Sequence, residues 1–497
     1  MSQRSQSSIQ MGASVSPSLK ENLTYLHEVL EDCDDFVFRP FTTAAESSGM
    51  LVYSSLAADL DFISQTILPS LYQLEVGAQR GLFPKATRLS LPFLPEKSFT
   101  LWSEILVPLM SGNTLILIDG VAETFLVMTA QIQHRAIERS ETEPVIRGPQ
   151  EAFTEPLFPN LAIIRARMKN PNLKIRIYKL GEESRTDVAL IYLEGKIQPS
   201  LLNEVRNRLT NIKLPSVQES GFLTEFLAQK TYTPFPLIQS TERPDKVVAA
   251  IMEGRAAVFA EGSPFALLMP TTFWNYFQSP DDYFQHFMVG SIIRWIRYIS
   301  YILAATLPAL YLAFTVFQPD MVPLRFLFSL SASRINVPVP TVVEIIIMLA
   351  ALDIFREAAL RLPRTIGPAI GIVGALVLGE AAVSAGIISP IMVIVVALTA
   401  ISTFAVPTED LRSTVRLFSY LLVLLSSILG LYGFLLGGCT ILLHASSLES
   451  LGVPYFSPVS SLHLKEWSDV FIRSPWLILR GKQQSIRPQD QDGASKK

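Results

Sequence analysis

Two acidic residues lie in parts of the sequence that are otherwise apolar enough to enter a membrane. Glu380 is the only charged residue in the run Ile366–Val406, and Glu344 lies near the start of a helix predicted over Val337–Pro363. A charge at membrane depth costs about 2.5–3.5 kcal/mol on insertion scales, so each carboxylate needs a physical reason. One reason for Glu380 is a cation path, where subunits of an oligomer repeat the carboxylate as a ring. The other is a protonated or hydrogen-bonded side chain that fixes helix packing.

The helix predicted over Val337–Pro363 carries further charges on one face. Four of them follow the spacing i, i+4, i+8 and i+11, namely Asp353, Glu357, Arg361 and Arg364. A charged stripe of this kind, with Arg356 beside it, is expected in the interior of a helical bundle, along a water-filled path or where the helix leaves the membrane for water. We consider two roles for it, a charged helix end at the cytosolic interface and a gate element that links a soluble region to a pore. Glu344 fits a capping box that begins at Thr341, and it is also an ion-path candidate.

Five further residues mark a predicted junction within the soluble region. Arg147 and Gly148 precede a proline, and a Gly-Pro dipeptide is typical of a turn. Glu242, Arg243 and Asp245 belong to the stretch ERPD, which we interpret as a turn that leads into a helix. We expect the first pair at a subdomain junction or interface rather than in a binding site.

Composition argues against several classes of function. The chain has 497 residues, 49% hydrophobic and 17% charged, with a net charge of -3 and a mean hydropathy of +0.34. It has no long basic run, which argues against nucleic-acid binding. The five histidines are scattered and no CxxC pair accompanies Cys33 or Cys439, so we expect no metal site. Walker loops, GxSxG elbows and nucleophile–base sets are absent from the sequence, so we expect neither an enzyme nor a bound cofactor.

The sequence changes character near residue 290. Before it, strand-like and helix-like segments alternate, which predicts a soluble α/β or α+β region of two subdomains. After it, apolar runs reach membrane length, which predicts a polytopic α-helical membrane domain. The expected divisions are a disordered tail (1–18), a first soluble subdomain (19–145), a second α/β subdomain (146–285), a membrane domain of about five helices (290–445) and a polar C-terminal segment with a disordered end (446–497).

The number of membrane spans follows from the apolar runs. Arg294–Phe317 begins with two arginines, which favours a cytosolic start. Ile366–Val406 is too long for one span and breaks around Gly386–Pro390, and Leu417–His444 is the last long run. Five spans result, with four or six left open. Five crossings place the basic C-terminal tail outside, which conflicts with the preference of basic residues for the cytosolic side. Either one segment is therefore re-entrant or this preference fails at the C-terminus.

Several stretches of the sequence resemble the GerA family of spore germination proteins, in particular the A subunits of germinant receptors. These stretches are PVIRGPQEAFTE (Pro144–Glu155), STERPDKVVAAIMEGRAAV (Ser240–Val258), FREAALRLPRTIG (Phe355–Gly367), SPIMVIVVALTAIS (Ser389–Ser402) and GVPYFSP (Gly452–Pro458). The resemblance covers about residues 20–480 in order, and DDFVFRPF (Asp34–Phe41) favours a receptor subunit over the related stage V sporulation protein. The family pattern around Glu380 allows several polar residues, including an amide, so the shared function does not require a carboxylate there.

The resemblance implies a multi-pass protein of the spore inner membrane, with its soluble region on the cytosolic (core) side. It implies a transporter-like B subunit and a lipoprotein C subunit as partners, besides membrane lipid. It further implies a homo-oligomer that acts as a nutrient-gated cation channel and triggers germination. Two alternatives stay open, a monomeric secondary transporter with substrate near Gly379–Pro390 and a non-conducting scaffold subunit. The sequence lacks a matching pair of interrupted helices in two halves, which counts against the transporter.

Overall fold

The computed structural model describes residues 13–44, 46–74, 98–131, 140, 142–228, 232–361, 376–460 and 464–475. Its strands are β1 (Phe36–Thr42), β2 (Ser48–Ser54), β3 (Thr114–Ile118), β4 (Phe125–Val127), β5 (Leu173–Leu180), β6 (Thr186–Leu193), β7 (Gln239–Thr241), β8 (Ala256–Ala260), β9 (Ala266–Met269), β10 (Glu449–Ser450) and β11 (Val453–Pro454). Its helices are α1 (Leu19–Val29), α2 (60–72), α3 (Trp102–Met110), α4 (Leu157–Arg167), α5 (Pro199–Thr210), α6 (Ser220–Leu227), α7 (Pro244–Met252), α8 (Asp281–Phe284), α9 (Phe287–Leu312), α10 (Leu324–Arg334), α11 (Thr341–Arg361), α12 (Ala382–Ser384), α13 (Pro390–Phe404), α14 (Glu409–Leu429), α15 (Leu431–Ser446) and α16 (Leu464–Phe471).

The first sheet is an antiparallel meander in the order β1-β2-β3-β4. Its strands β3 and β4 form a hairpin that pairs Leu115 with Leu126. Alternate residues of β3 face opposite sides: Leu115 packs with α1 and α3, whereas Ile116 packs with α2. Pro40 lies in β1, an edge strand, where a missing N–H group costs least.

The second sheet has five antiparallel strands in the order β5-β6-β8-β9-β7 and helices on both faces. Its strand β6 is buried on both sides: Val188 and Leu190 pack with α5 and α6, and Ala189 and Ile191 pack with α4 and α7. The soluble region is therefore α/β, as predicted.

A buried ion pair joins the two soluble subdomains. Arg165 on α4 donates from Nε and Nη2 to the two carboxylate oxygens of Asp35, at 3.0 and 2.8 Å, and both side chains are fully buried. Next to it, the N–H groups of Asp34 and Ile175 form two backbone hydrogen bonds between the segment after α1 and strand β5. Such contacts fix the relative position of the subdomains, because a bidentate pair is satisfied in one geometry only.

The first subdomain begins earlier than residue 19. The N–H of Val15 donates to the carbonyl of Thr100 at 2.8 Å, and the Val15 side chain is buried against the core around α3. Ser14 forms a β-bridge with Leu101. The prediction of a disordered tail over 1–18 is therefore wrong for residues 13–18, because an isolated apolar residue in a polar stretch gives no periodicity that would reveal its burial.

The C-terminal half is helical. Two of its described helices, Phe287–Phe317 and Glu409–Leu429, are long and apolar enough to cross a membrane, and Pro390–Phe404 and Leu431–Ser446 are shorter apolar helices. The run 417–444 does not form one bent helix. Gly430, at φ +59°, reverses the chain so that α14 and α15 pack as an antiparallel hairpin. Gly433 lies against the Leu425 carbonyl, where a Cβ atom has no room.

The segment after α15 returns to the soluble region. Ser450 accepts a hydrogen bond from the Thr271 N–H and donates one to the Leu237 carbonyl, and the Phe273 N–H donates to the Tyr455 carbonyl. The chain thus returns after α15 to the part of the molecule from which the helical region starts. The number of membrane spans, five with four or six left open, stays a prediction.

Candidate functional site

The predicted junction residue Glu242 lies where the linker between the subdomains meets strand β7. One of its carboxylate oxygens accepts hydrogen bonds from the Ser140 hydroxyl (2.5 Å), the Thr142 N–H (2.7 Å) and hydroxyl (2.8 Å), and the Glu143 N–H (3.2 Å). Burial alone would raise the pKa of Glu242, but these hydrogen bonds, led by the one from Ser140, hold that pKa below its usual value. The carboxylate therefore stays ionised and fixes the linker.

Arg243 is the buried centre of the same junction. Its guanidinium donates to both carboxylate oxygens of Asp245, at 3.0 and 2.6 Å, and to the carbonyls of Glu143 (3.2 Å) and Pro149 (3.0 Å). Its side chain is fully buried. The stretch ERPD is thus a turn into α7, as predicted, and it also holds both ends of the linker segment 143–149.

The other two predicted junction residues contact the helix α8. The N–H groups of Ile146 and Arg147 point to the Asp281 carboxylate at 3.2 and 3.3 Å. Gly148 has φ +109°, and a Cβ atom there would overlap the ring of Phe284. All five predicted junction residues therefore lie at contacts between segments.

The junction continues into the helical half through strand β7. The Ser240 hydroxyl donates to the Asp410 carboxylate on α14 at 2.9 Å. Next to it, Thr241 donates to Glu143 at 2.7 Å, and Lys246 pairs with the other oxygen of that carboxylate at 2.7 Å. Three successive residues, two at the end of β7 and Glu242 directly after it, thus bind α14, the linker side chain and the linker backbone.

Two further contacts hold the same side of α14 against the soluble region. The Thr414 hydroxyl donates to the Pro234 carbonyl at 2.6 Å, and the ring of Phe418 lies 4.8 Å from that of Phe235. The spacing of four residues from Asp410 to Thr414 and from there to Phe418 keeps all three on one side of the helix. The first half of α14 is therefore fixed to the second soluble subdomain.

A different side of α14 contacts α11, where the predicted charged stripe lies. The Tyr420 hydroxyl donates to Asp353 at 2.6 Å, and Arg416 lies 3.7 Å from the other oxygen of that carboxylate. Arg356, one turn along α11, also pairs with Asp353 at 3.3 Å and lies over the ring of Phe404 on α13. α14 thus connects the soluble junction with the charged part of α11.

The other charged residues of the stripe do not take part in the contact between α11 and α14. Glu357 and Arg361 pair with each other at 2.6 Å, and both side chains are exposed. Exposed pairs of this kind stabilise a helix only weakly. Arg364 lies outside the described residues. The stripe therefore contains a half-buried part, around Asp353 and Arg356, and an exposed part that fits a helix end.

The two ion-path candidates have different surroundings. Glu344 is buried; one carboxylate oxygen accepts from the Ser389 N–H at 2.6 Å, and the other lies 3.3 Å from Arg334. Its carboxylate is thus directed at the start of α13, where it satisfies a backbone N–H group that precedes the helix. Glu380 lies in a π-helical turn, Leu376–Ala381, and is exposed, and it has no hydrogen-bond or ion-pair partner among the described residues.

The sequence did not reveal the ion pairs around the start of α9. Arg297 donates to both oxygens of Asp282 at 2.8 Å, and the fully buried Arg294 lies 3.3 Å from the same carboxylate. Arg294 also binds the Asp469 backbone carbonyl on α16, and Asp469 accepts from Tyr283 at 3.0 Å. Because acids neutralise these arginines, they are weaker indicators of a cytosolic start than their positions in the sequence suggested.

The partners on α14 were also missed. Asp410 lies in the first turn of a helix, where an acidic residue is favoured by the helix dipole alone. Arg416 and Tyr420 interrupt an apolar run and resemble interfacial residues. The only sequence signal for their contact was the charge of Asp353, which needed a partner.

The sequence of this chain is similar to those of several known proteins. A family model described as Bacillus/Clostridium GerA spore germination protein matches residues 24–485. An uncharacterized membrane protein, YfkQ, of Bacillus subtilis (strain 168) is 37% identical to this chain over 93% of it and 90% of its own length. Spore germination protein KA of the same strain is 36% identical, over 96% of this chain and 88% of its own.

A solved structure is also similar. The N-terminal domain of the A subunit of the Bacillus megaterium spore germinant receptor GerK3 is 29% identical and covers 53% of this chain and 99% of that domain, with a TM-score of 0.41. The family model and the relatives above extend over most of the sequence. This chain therefore belongs to the GerA family of spore germination proteins.

Proposed function

We propose that this chain is the A subunit of a spore germinant receptor and that it transmits nutrient binding to the membrane. It acts with a transporter-like B subunit and a lipoprotein C subunit in the spore inner membrane, with its soluble region on the core side. As a homo-oligomer it forms a cation channel that opens during germination. Family membership and relatives named as spore germination proteins support the role in germination.

The observation that carries the proposal is the double contact of α14. On one side, Asp410 and Thr414 bind the soluble segment 234–240, and on another side Tyr420 and Arg416 bind Asp353. A displacement of the soluble segment therefore has a direct mechanical route to the charged part of α11. A scaffold that only assembles other subunits has no need for such a route.

The two carboxylates have separate roles in this proposal. Glu344 is buried, one of its oxygens accepts from the Ser389 N–H, and the other lies 3.3 Å from Arg334 in an ion pair, so it holds α11 against α13 and is a poor ligand for a passing ion. Glu380 is exposed, and in a ring of subunits its carboxylates attract cations. We therefore assign the ion path to the side of the helical region that carries Glu380.

The experiment that tests the transmission role uses spores that contain this chain as their only receptor A subunit. Asp353→Asn removes the charge that Arg356 and Arg416 share, and Asp320→Asn is the control, because Asp320 lies exposed in the turn Pro319–Met321. After nutrient broth is added, the proposal predicts altered timing of potassium release and germination with Asp353→Asn only. Immunoblots confirm equal protein amounts.

Two results contradict the proposal. Unchanged release with Asp353→Asn at normal protein level removes the transmission role of the α11–α14 contact. Normal potassium release from spores that lack this chain altogether, while the partner subunits remain, shows that release does not depend on this chain and contradicts both the channel and the scaffold role.

A further inference from the structure

Helix α8 contacts three separate parts of the chain, and the first is the linker between the soluble subdomains. The Asp281 carboxylate accepts hydrogen bonds from the N–H groups of Ile146 and Arg147 at 3.2 and 3.3 Å. The ring of Phe284 lies where a Cβ atom on Gly148 would point. Residues three apart lie on the same side of a helix, so the linker occupies one side of α8.

The second part is the start of α9, which Asp282 binds. The Asp282 side chain is 1% exposed, accepts from Arg297 at 2.8 Å and lies 3.3 Å from Nε of Arg294. Its carbonyl is so close to Gly290 that a Cβ atom there would lie 2.7 Å from the oxygen. Helix α8 therefore packs directly against the first turn of α9.

The third part is the C-terminal segment 464–475, which contains α16. The Tyr283 hydroxyl donates to Asp469 at 3.0 Å, and the Tyr283 carbonyl accepts from the Arg473 guanidinium at 3.3 Å. The guanidinium carbons of Arg294 and Arg473 each lie 5.8 Å from the centre of the Tyr283 ring, within the range of a cation–π contact. Tyr283 therefore joins α8 to the C-terminal segment.

The same C-terminal segment is also fixed to α9. The Tyr298 hydroxyl donates to the Val470 carbonyl at 2.8 Å, and the Arg473 N–H donates to the Ser291 hydroxyl at 3.1 Å. Ser291 and Tyr298 are seven residues apart, which places them two turns apart on one side of α9. The segment 464–475 thus lies along the start of α9 and holds α8 at its other contact.

We propose that the C-terminal segment 464–475 is a clamp that keeps α8 on α9 and so couples the linker to the first helix of the helical region. Helix α8 has four residues, and a helix this short has no stable position without its contacts. A displacement of the linker therefore moves α8, and while the clamp holds, α8 moves the start of α9. When the clamp is released, the linker and α9 move independently.

This route is separate from the contact between α11 and α14 in the proposed function. It contains no residue of either helix, and it concerns movement within the purified chain rather than nutrient binding or ion flow. Unchanged potassium release with Asp353→Asn therefore leaves the clamp intact, and a failed test of the clamp leaves the α11–α14 contact intact.

Two variants loosen the clamp at different places. Tyr283→Phe removes the hydroxyl that binds Asp469 and keeps the ring between its neighbours. Tyr298→Phe removes the hydroxyl that binds the Val470 carbonyl, and it lies on α9 rather than on α8. The matched control is Tyr232→Phe, because the Tyr232 side chain is fully exposed.

Hydrogen exchange of the full-length protein in mild detergent reports both ends of the route. Peptide 471–475 contains the Arg473 amide, and peptide 145–149 contains the two linker amides that bind Asp281. Both variants are expected to speed exchange in 471–475 about fivefold, which corresponds to the loss of one typical net hydrogen bond. Because the clamp holds α8, exchange in 145–149 should also rise, about twofold to fivefold, and the control should equal the wild type.

Three results overturn the proposal. Faster exchange in 471–475 with unchanged exchange in 145–149 means that the segment moves without α8. An effect on 145–149 in Tyr283→Phe alone assigns the effect to one hydrogen bond rather than to the segment. Unchanged exchange in both peptides, or an equal increase in the strands of the first sheet, means that these hydroxyls do not hold a clamp or that the whole chain is destabilised.

The coupling is also measurable from the linker end. Asp281→Asn removes the charge to which two linker N–H groups point, and coupling between two sites is reciprocal. Exchange in 471–475 should therefore rise in this variant, about twofold. Exchange there that equals the wild type, while exchange in 145–149 rises, contradicts the clamp.

Discussion

Replacement of Glu242 by alanine is expected to release the linker between the soluble subdomains. The carboxylate accepts four hydrogen bonds, and two of their donors are the backbone N–H groups of Thr142 and Glu143. A hydrogen bond to a charged group contributes about 1.5–3 kcal/mol. The linker is partly open to water, and water molecules replace some of the lost hydrogen bonds. We therefore expect local stability to fall by about 2–3 kcal/mol.

Hydrogen exchange of the full-length protein measures this loss directly. A free-energy change of about 2–3 kcal/mol corresponds to an exchange of the 142–149 amides that is about 30-fold to 150-fold faster. The matched control is Glu183→Ala, an exposed acid in the turn between β5 and β6. Unchanged exchange at 142–149 in Glu242→Ala, or an equal increase in the control, refutes the reasoning.

The same carboxylate predicts a pH dependence. Burial would raise the pKa of Glu242, but the hydrogen bonds from Ser140 and the Thr142–Glu143 backbone hold it below the ordinary value of 4.5. The stabilisation is therefore complete above pH 4.5 and is lost as the pH falls through the lowered pKa. Exchange at 142–143, relative to peptides elsewhere in the chain, should accelerate below that pH in the wild type and not in Glu242→Ala.

Two other substitutions test the packing. Asp35→Ala leaves Arg165 buried without its partner, so the free energy of unfolding should fall by about 3–5 kcal/mol in denaturant titrations, and an unchanged midpoint contradicts the buried pair. Gly433→Ala places a Cβ atom against the Leu425 carbonyl and should lower the melting temperature of the purified protein. Gly438→Ala, with no atom within 4 Å, should leave it equal or higher, and equal effects contradict the α14–α15 hairpin.

Sequence patterns indicated the elements of the soluble region whose residue types follow a simple period. Apolar and polar residues alternate along Leu173–Gly181, which forms strand β5, and two apolar runs on either side of Gly120 form strands β3 and β4. Strands β1 and β2 were not predicted, since Pro40 and several polar residues obscure the alternation. The hairpin of α14 and α15 was missed because Gly430 alone reverses an otherwise continuous apolar run.

Site residues were predictable where a charge stood out from its surroundings. Asp353 and Glu344 stood out in an apolar helix, and both have partners in the structure. Two of these partners, Ser389 and Tyr420, were not predictable, because their contacts span 45 and 67 residues in the sequence. Periodicity describes one element at a time, whereas this site consists of contacts between elements.

The most direct test of the central claim is cation flux through the purified protein in liposomes, together with its partner subunits. Wild type is compared with Glu380→Gln, Glu344→Gln and the exposed control Glu357→Gln. The account predicts that Glu380→Gln lowers the preference for monovalent cations over anions, that Glu344→Gln lowers stability without a change in selectivity, and that the control equals wild type. Absence of flux under every condition, with the partner subunits present and the protein correctly inserted, would contradict the account and leave the chain as a scaffold.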